Sequence, residues 1–319
     1  METTPPEKDG TRLLYGCMAL GGSWESDAYG PADIDAAEAA VEAALDSGID
    51  TFDHADIYRR GKAEAVFGEV LARTPGLRER IVLQTKCGIR LAEGERPGIY
   101  DLRRATIQRR VEESLARLRT DAIDVLLLHR PDPLADPEDI AAALASLREQ
   151  GLVHRFGVSN MSAAQIARLQ RHLEFPLVAN QLEMSLDRRD WLEDGVLVNT
   201  PAAAAGGFPS GTVEYCLDRG VRLQAWGALA QGRFTGRQES PAERATARLV
   251  AALAEAKGTT PETVLLWWLQ RHPAGIAPVV GSGRPERIRA CRDAALREPD
   301  LTHEEWYDLW LTARGVPLP

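Results

Sequence analysis

Short runs of Ile, Val and Leu alternate along the chain with longer stretches in which apolar residues recur every three or four positions. The short runs fall near Leu13–Leu20, Ile49–Asp53, Ile81–Lys86, Ile123–His129, Arg155–Val158, Val178–Gln181, Val221–Trp226 and Ile276–Val280. Near-continuous apolar runs are the mark of parallel strands covered on both faces. Helical spacing occupies Ala32–Ser47, Lys62–Arg73, Leu102–Arg119, Pro137–Gln150, Ala163–Arg171, Thr212–Arg219, Ala245–Lys257, Glu262–Arg271 and Pro285–Ala294. Leu301–Ala313 reads as an appended C-terminal helix, and Glu193–Ser210 as an irregular loop too long to be idle.

Local punctuation agrees with this division. Gly48 and Gly151 stand just past helix ends, where a left-handed residue is wanted. Ser162 with Gln165 three residues on fits a capping box, and Thr260-Pro261 fits an N-cap followed by proline. Strand-then-helix units in series predict an α/β fold, a closed (β/α)8 TIM barrel, in preference to an open doubly wound sheet. With no internal repeat or linker in view, residues 1–319 read as one domain.

Composition narrows the partners. The chain has 319 residues, 44% of them hydrophobic, and a formal charge of −9. An acidic chain with no lysine/arginine block argues against nucleic acid or an anionic membrane as its main partner. Four cysteines without C-x-x-C or zinc-type spacing suggest a reducing compartment. The polar start M-E-T-T-P-P-E-K-D-G is no signal peptide, and no apolar run is long enough to span a bilayer. The expectation is a soluble cytoplasmic protein, monomeric by default.

In such a barrel, chemistry gathers where strands end. The predicted strands close, in order, on Asp53 (with Tyr58 in the loop beyond), Lys86, His129, Ser159-Asn160, Asn180-Gln181, Trp226 and G-S-G-R, Gly281 to Arg284. The stretch D-H-A-D-I-Y-R-R-G-K admits two other readings. Tyr58 and Lys62 match the Y-x-x-x-K of short-chain dehydrogenases, but Gly61 interrupts the helix they need and no glycine-rich fingerprint follows an N-terminal strand. A metal-dependent hydrolase using Asp53, His54 and Asp56 lacks any H-x-H or H-x-x-x-H pair among the six histidines.

Asp53, Tyr58, Lys86 and His129 resemble, in order, spacing and strand placement, the catalytic tetrad of the aldo-keto reductases. The likeness extends through Q-T-K-C-G-I, L-L-L-H-R-P-D-P, F-G-V-S-N, N-Q-L-E-M-S, Q-A-W-G-A-L-A-Q-G-R and P-V-V-G-S-G-R-P-E-R-I, nearly the whole chain, and is nearest to a bacterial branch of NADP-dependent oxidoreductases. It implies reversible reduction of an aldehyde or ketone, with Tyr58 as general acid, Lys86 lowering the Tyr58 pKa, Asp53 anchoring Lys86, and His129 orienting the carbonyl. His54 and Asp56 would support these four, and Lys62 would be a bystander.

The same resemblance implies an NADP(H) site. Ser159, Asn160 and Gln181 would hold the nicotinamide carboxamide, Trp226 would stack on the ring, and Leu229, Gly232 and Arg233 would border the pyrophosphate. Ser282, Gly283, Arg284 and Arg287 would meet the adenosine phosphate, the two arginines favouring NADP(H). Gly281 and Ala290-Cys291 depart from the lysine and the acid-amide pair frequent in the family, and W-G-A-L from its W-S-P-L. Met18, near a pocket floor, and Trp24 are the substrate-pocket candidates, with the loops Gly88–Tyr100 and Glu193–Ser210, in the second of which Val196–Ser210 look like an insertion. The alternative function is an NADP(H)-binding redox-sensing or partner subunit with little turnover.

Overall fold

A computed structural model describes residues 12–26, 28–205, 207–236 and 238–319. The polar N-terminal stretch lies outside the described residues, as does Gly206 in the expected long loop. Parallel strands β1 (Leu14–Gly16), β2 (Thr51–Asp53), β3 (Val82–Cys87), β6 (Ile123–Leu128), β7 (Val153–Ser159), β8 (Leu177–Glu183), β9 (Arg222–Trp226) and β10 (Ala277–Val280) close into a barrel. Its order is β1-β10-β9-β8-β7-β6-β3-β2, with registers such as Gly16↔Asp53 and Lys86↔Leu127. A two-stranded hairpin, β4 (Ile89–Arg90) with β5 (Ile99–Tyr100), rises from the loop after β3.

The surrounding helices are α1 (Pro31–Asp46), α2 (Lys62–Arg73), α3 (Arg104–Leu118), α4 (Pro137–Glu149), α5 (Ala163–Gln170), α6 (Asp190–Val196), α7 (Thr212–Asp218), α8 (Pro241–Ala256), α9 (Pro261–Gln270), α10 (Pro285–Arg289), α11 (Arg292–Leu296) and α12 (His303–Arg314). The expected caps form. Gly48 and Gly151 take φ of +78° and +71°, Ser162 and Gln165 close a capping box, and Thr260 Oγ1 accepts from Thr263 N at 3.1 Å. The appended helix α12 docks on α9 through a stacked Trp268–Trp306 pair (5.3 Å, 11°). Each indole donates to the other residue's carbonyl, at 3.2 and 2.8 Å.

Four boundaries differ from expectation, each for a local reason. β1 stops at Gly16 and gives way to a 3-10 turn, Cys17–Ala19, which buries Cys17 but turns Met18 outward. The helix expected over Pro285–Ala294 divides in two because the Ala290 carbonyl accepts from Thr260 Oγ1 (2.5 Å) and Thr263 Oγ1 (3.2 Å) instead of continuing the helix. α3 begins at Arg104, not Leu102, since Leu102 N donates to Asp132 Oδ2 at 3.0 Å. The segment expected to be irregular from Glu193 onward contains α6 and a 3-10 turn, Pro201–Ala205. Helices α2 and α3 approach closely at Gly68, where an added Cβ would lie 2.2 Å from Arg117 O and 3.0 Å from Leu118 C.

Alanine normally outranks glycine in a helix by about 1 kcal/mol. Here the clash is with backbone, which cannot swing away, so overpacking wins. Gly68→Ala is expected to lower stability by about 1–3 kcal/mol in urea unfolding; an unchanged or higher midpoint would show that α3 can yield.

Candidate active site

The β2–β3 ladder carries the site. It continues past Asp53 through His54 N–Gln84 O (2.8 Å) and Asp56 N–Lys86 O (3.0 Å), so the start of the loop is held like a strand. A Tyr58 N–Ala55 O bond (3.0 Å) then turns the chain and delivers Tyr58 beside Lys86. Arg59, Arg60 and Gly61 follow with φ of +51°, +58° and +86°. Two consecutive non-glycine residues in the left-handed region store strain, which neighbouring contacts must offset. Arg59 Nε donates to Met18 O at 3.1 Å, and its guanidinium lies 5.4 Å over the Trp24 ring.

Lys86 is fully buried and contacts both Asp53 oxygens, at 2.7 and 2.6 Å. It also donates to His54 O (3.0 Å) and to the Tyr58 hydroxyl (3.2 Å). His129 follows β6 directly, its backbone N bonded to Cys87 O at 2.9 Å, and its ring stands edge-on to Tyr58 with centroids 6.1 Å apart. The four predicted side chains therefore share one end of the barrel.

Their electrostatics follow from one buried cation. Burial pulls the Lys86 ammonium down, but Asp53 and Tyr58 more than offset it, so its pKa lies above the ordinary lysine value. Burial, then the Lys86 charge and Arg130, hold His129 well below the usual histidine range. Burial and Lys86 push His54 down to about 3. Both imidazoles are thus neutral near pH 7. Tyr58 moves against expectation: burial raises its pKa above 10, and the pull of Lys86 only partly counters it. Its hydroxyl is therefore protonated in the resting protein.

Beneath the loop lies a second charged cluster. Glu64 accepts from Thr85 Oγ1 (2.6 Å) and Arg117 Nε (2.8 Å). The buried Asp56 carboxylate has Arg110 Nε at 3.5 Å but no hydrogen-bond partner among the described residues. Burial first, then Glu64, raise it to about 7 against Arg110 and Arg117. Lys62 is no bystander: its buried ammonium donates to Ser23 O (2.7 Å) and Ser26 O, tying the Trp24 loop to α2. That contact also removes it from any helical pairing with Tyr58.

The residues expected around a dinucleotide fall on the strands that follow. Ser159 Oγ donates to Gln181 O (2.8 Å) and accepts from Asn160 Nδ2 (2.8 Å). Asn160 has φ +57° and accepts from Trp226 Nε1 at 3.1 Å, which fixes the indole. Gln181 is buried, and its Nε2 donates to Gln224 Oε1 at 2.9 Å. Leu229 caps a 3-10 turn, Ala230–Gly232, in which Gly232 has φ +80°. Arg233 is engaged elsewhere, with Glu243 (2.9 Å) and Asp187 (3.5 Å). Ser282 is held by Tyr15 OH donating to its carbonyl (2.8 Å), with Gly283, Arg284 and Arg287 exposed beyond it.

Met18 is 53% exposed and Trp24 37%, so Met18 stands at a rim and not at a pocket floor. Helix α6, which leads into the expected insertion at Val196–Ser210, is anchored outward. Trp191 packs on Trp268 (5.9 Å), while Glu193 accepts from Trp310 Nε1 (3.2 Å) and pairs with Arg314 (3.3 Å). Gln84 and Gln224 were not anticipated. Their signal is the strand period: each lies two residues before an inward-facing site residue, Lys86 or Trp226. Among the described residues no histidine, cysteine or carboxylate cluster could hold a metal ion, and no helix is long and apolar enough to cross a membrane.

The sequence model of the Aldo/keto reductase family matches residues 12–309. The chain belongs to the aldo/keto reductase family. It is 37% identical over 313 residues to the oxidoreductase YcsN of Bacillus subtilis, covering 97% of this chain and 96% of that one. It is 35% identical over 310 residues to a 6-dehydroglucose reductase of Agrobacterium fabrum, covering 96% and 95%. Among solved structures, the glycerol dehydrogenase AKR11B4 of Gluconobacter oxydans superposes with a TM-score of 0.80 at 25% identity, covering 97% of this chain and 94% of that one. Membership carries oxidoreductase chemistry on carbonyl and alcohol groups.

Asp56 gives this aldo/keto reductase a testable pH dependence. Its folded pKa, about 7, exceeds the reference value of 3.8, so between those pH values the folded state holds a proton that the unfolded chain releases. Stability from this group therefore falls as pH rises through that window. Asp56→Asn should stabilise by on the order of 1–3 kcal/mol at pH 8 and by much less at pH 5, read as melting temperature. A gain that does not vary with pH would mean that Asp56 is ionised throughout.

Proposed function

We propose that this chain reduces an aldehyde or ketone to an alcohol with NADPH, Tyr58 acting as general acid. The carrying observation is the buried Lys86 ammonium, 2.6 Å from Asp53 Oδ2 and 3.2 Å from the Tyr58 hydroxyl. A carbonyl oxygen that gains negative charge needs a proton donor that holds its proton until that moment. Tyr58 meets the need because burial keeps its phenol neutral in the resting site. Once the proton leaves, the phenolate sits beside a cation in a water-poor site, where such stabilisation is strongest.

His129 is neutral and its Nδ1 is buried with no partner among the described residues, which leaves Nε2 as the ring atom a carbonyl can meet. It orients the carbonyl while Tyr58 supplies the proton. Asp53 keeps Lys86 charged.

NADPH, when bound, supplies the hydride. The fit of these residues to a dinucleotide rests on the buried Gln181 amide beside Ser159 and Asn160, the Trp226 indole oriented by Asn160, and exposed Arg284 and Arg287 beyond the last strand. Ser159, Asn160 and Gln181 would hold the carboxamide, and Trp226 would cover the ring. Leu229 and Gly232 would border the pyrophosphate, while Ser282, Gly283, Arg284 and Arg287 would meet the 2′-phosphate end. Arg233 would brace that turn through Glu243 and Asp187 in preference to binding phosphate itself. Met18 and Trp24 would line the rim where the substrate enters.

The test follows NADPH oxidation at 340 nm with aromatic and aliphatic aldehydes. Tyr58→Phe should lower kcat by about 10²–10⁴-fold, with NADPH affinity kept within about 3-fold because Tyr58 is not among the cofactor contacts. Wild-type rates in Tyr58→Phe would rule out its role as the acid. NADPH binding without turnover on any carbonyl would favour the redox-sensing alternative.

A further inference from the structure

A second polar layer lies one step below the reacting groups. Gln84 precedes Lys86 by two residues on β3, and Gln224 precedes Trp226 by two on β9, so each faces the interior beneath its neighbour. β3 and β9 stand on opposite sides of the barrel. Their amides meet across it in a closed pair: Gln84 Nε2 donates to Gln224 Oε1 (2.9 Å), and Gln224 Nε2 donates to Gln84 Oε1 (3.0 Å). The pair is tethered at both ends. Gln84 Nε2 also donates to Asp53 Oδ1 (2.6 Å), and Gln181 Nε2 donates to Gln224 Oε1 (2.9 Å). Asp53, Gln84, Gln181 and Gln224 are all buried.

An amide has a donor end and an acceptor end, and turning it over exchanges them. The Asp53 carboxylate, paired with the Lys86 ammonium, can only accept. Gln84 must therefore turn its NH2 toward Asp53, since the reverse would set oxygen against oxygen. With Gln84 fixed, the closed pair admits one orientation of Gln224, whose oxygen faces Gln181. Gln181 must answer with its NH2. Its own oxygen is the end left over.

We propose that Gln84 and Gln224 are positioning residues that relay the polarity of Asp53 to Gln181, so that Gln181 offers an acceptor to the carboxamide NH2 of the nicotinamide. The inference rests on the NADPH assignment above. Two apolar side chains could fill the same volume, and replacing both members of a buried pair is often nearly neutral for stability. What they could not do is choose which end of Gln181 faces the ligand. The ion pair that tunes the acid and the amide that recognises the cofactor would then form one polar chain, so that the catalytic and cofactor sides of the barrel share an orientation.

Equilibrium binding separates this role from simple core filling. NADP+ and its 3-acetylpyridine analogue, which keeps the carbonyl oxygen but lacks the NH2, are titrated by tryptophan fluorescence against wild type, Gln84→Leu, Gln224→Leu and the double variant. Wild type should prefer NADP+ by about 10-fold, the cost of leaving one buried acceptor unpaired. Each single variant should reduce the preference to about 1–3-fold. The double variant should recover melting temperature relative to the singles in part, because the two amides of the closed pair leave together and only Gln181 Nε2 loses its partner, yet keep the low preference. Gln224→Met serves if a leucine variant fails to fold. A preference unchanged in folded variants, restored in the double variant, or missing from wild type would overturn the relay. A wild-type chain that binds neither dinucleotide would overturn the NADPH assignment itself, a different and distinguishable failure.

Discussion

The buried pair of Asp53 and Lys86 is the constraint on which the site depends. An ammonium taken fully out of water costs several kcal/mol, and breaking such a pair by removing one partner typically costs about 3–5 kcal/mol. Two contacts to Asp53, at 2.6 and 2.7 Å, and one to the His54 carbonyl offset that cost. The arrangement requires β2 and β3 to be neighbours in a fixed register, and the ladder bonds that run past Asp53 enforce it. The same charge then acts on every titratable neighbour. It pulls His54 and His129 toward neutrality and opposes the rise that burial imposes on Tyr58.

At Tyr58 two effects compete, and their order has a chemical consequence. Reasoning from residue types alone puts the lysine first and expects a phenol of lowered pKa. In the folded chain, burial wins and the phenol keeps its proton. For the acid proposed above, holding the proton at rest and stabilising its loss are separate tasks: burial performs the first, and Lys86 at 3.2 Å would perform the second. The strength of a proton donor in such a site is thus set by the charge it faces after transfer as much as by its resting pKa.

Much of this was legible from the chain because a parallel barrel turns sequence order into spatial order. Strand ends that share a direction share a mouth, so Asp53, Lys86, His129, Ser159 and Gln181 could be gathered by position alone. The capping box at Ser162 is local and equally readable. What escaped depends on partners far away in sequence. The division between α10 and α11 follows from hydroxyls on α9. Lys62 earns its place through carbonyls in another loop, and Gln84 meets Gln224 across the barrel, 140 residues away. Helix α6 escaped because Glu193 is tied to Trp310 and Arg314, far along the chain.

The floor and the rim of the site are built on different principles. The floor consists of buried charges and amides on opposed strands, each oriented by the next, so a change at one point propagates to the others. The rim is made of loop backbone held by long cationic side chains: Arg59 on the Met18 carbonyl, Lys62 on the Ser23 carbonyl. Carbonyl acceptors are indifferent to the side chains that extend from them. Met18 can therefore be exchanged without dismantling the contact that holds its loop, and Trp24 at the loss of its ring contact with Arg59 alone, whereas Gln84 or Gln224 cannot be exchanged singly without stranding a partner. Under the proposed function, substrate choice would be placed where variation costs little, and proton and cofactor handling where it costs most.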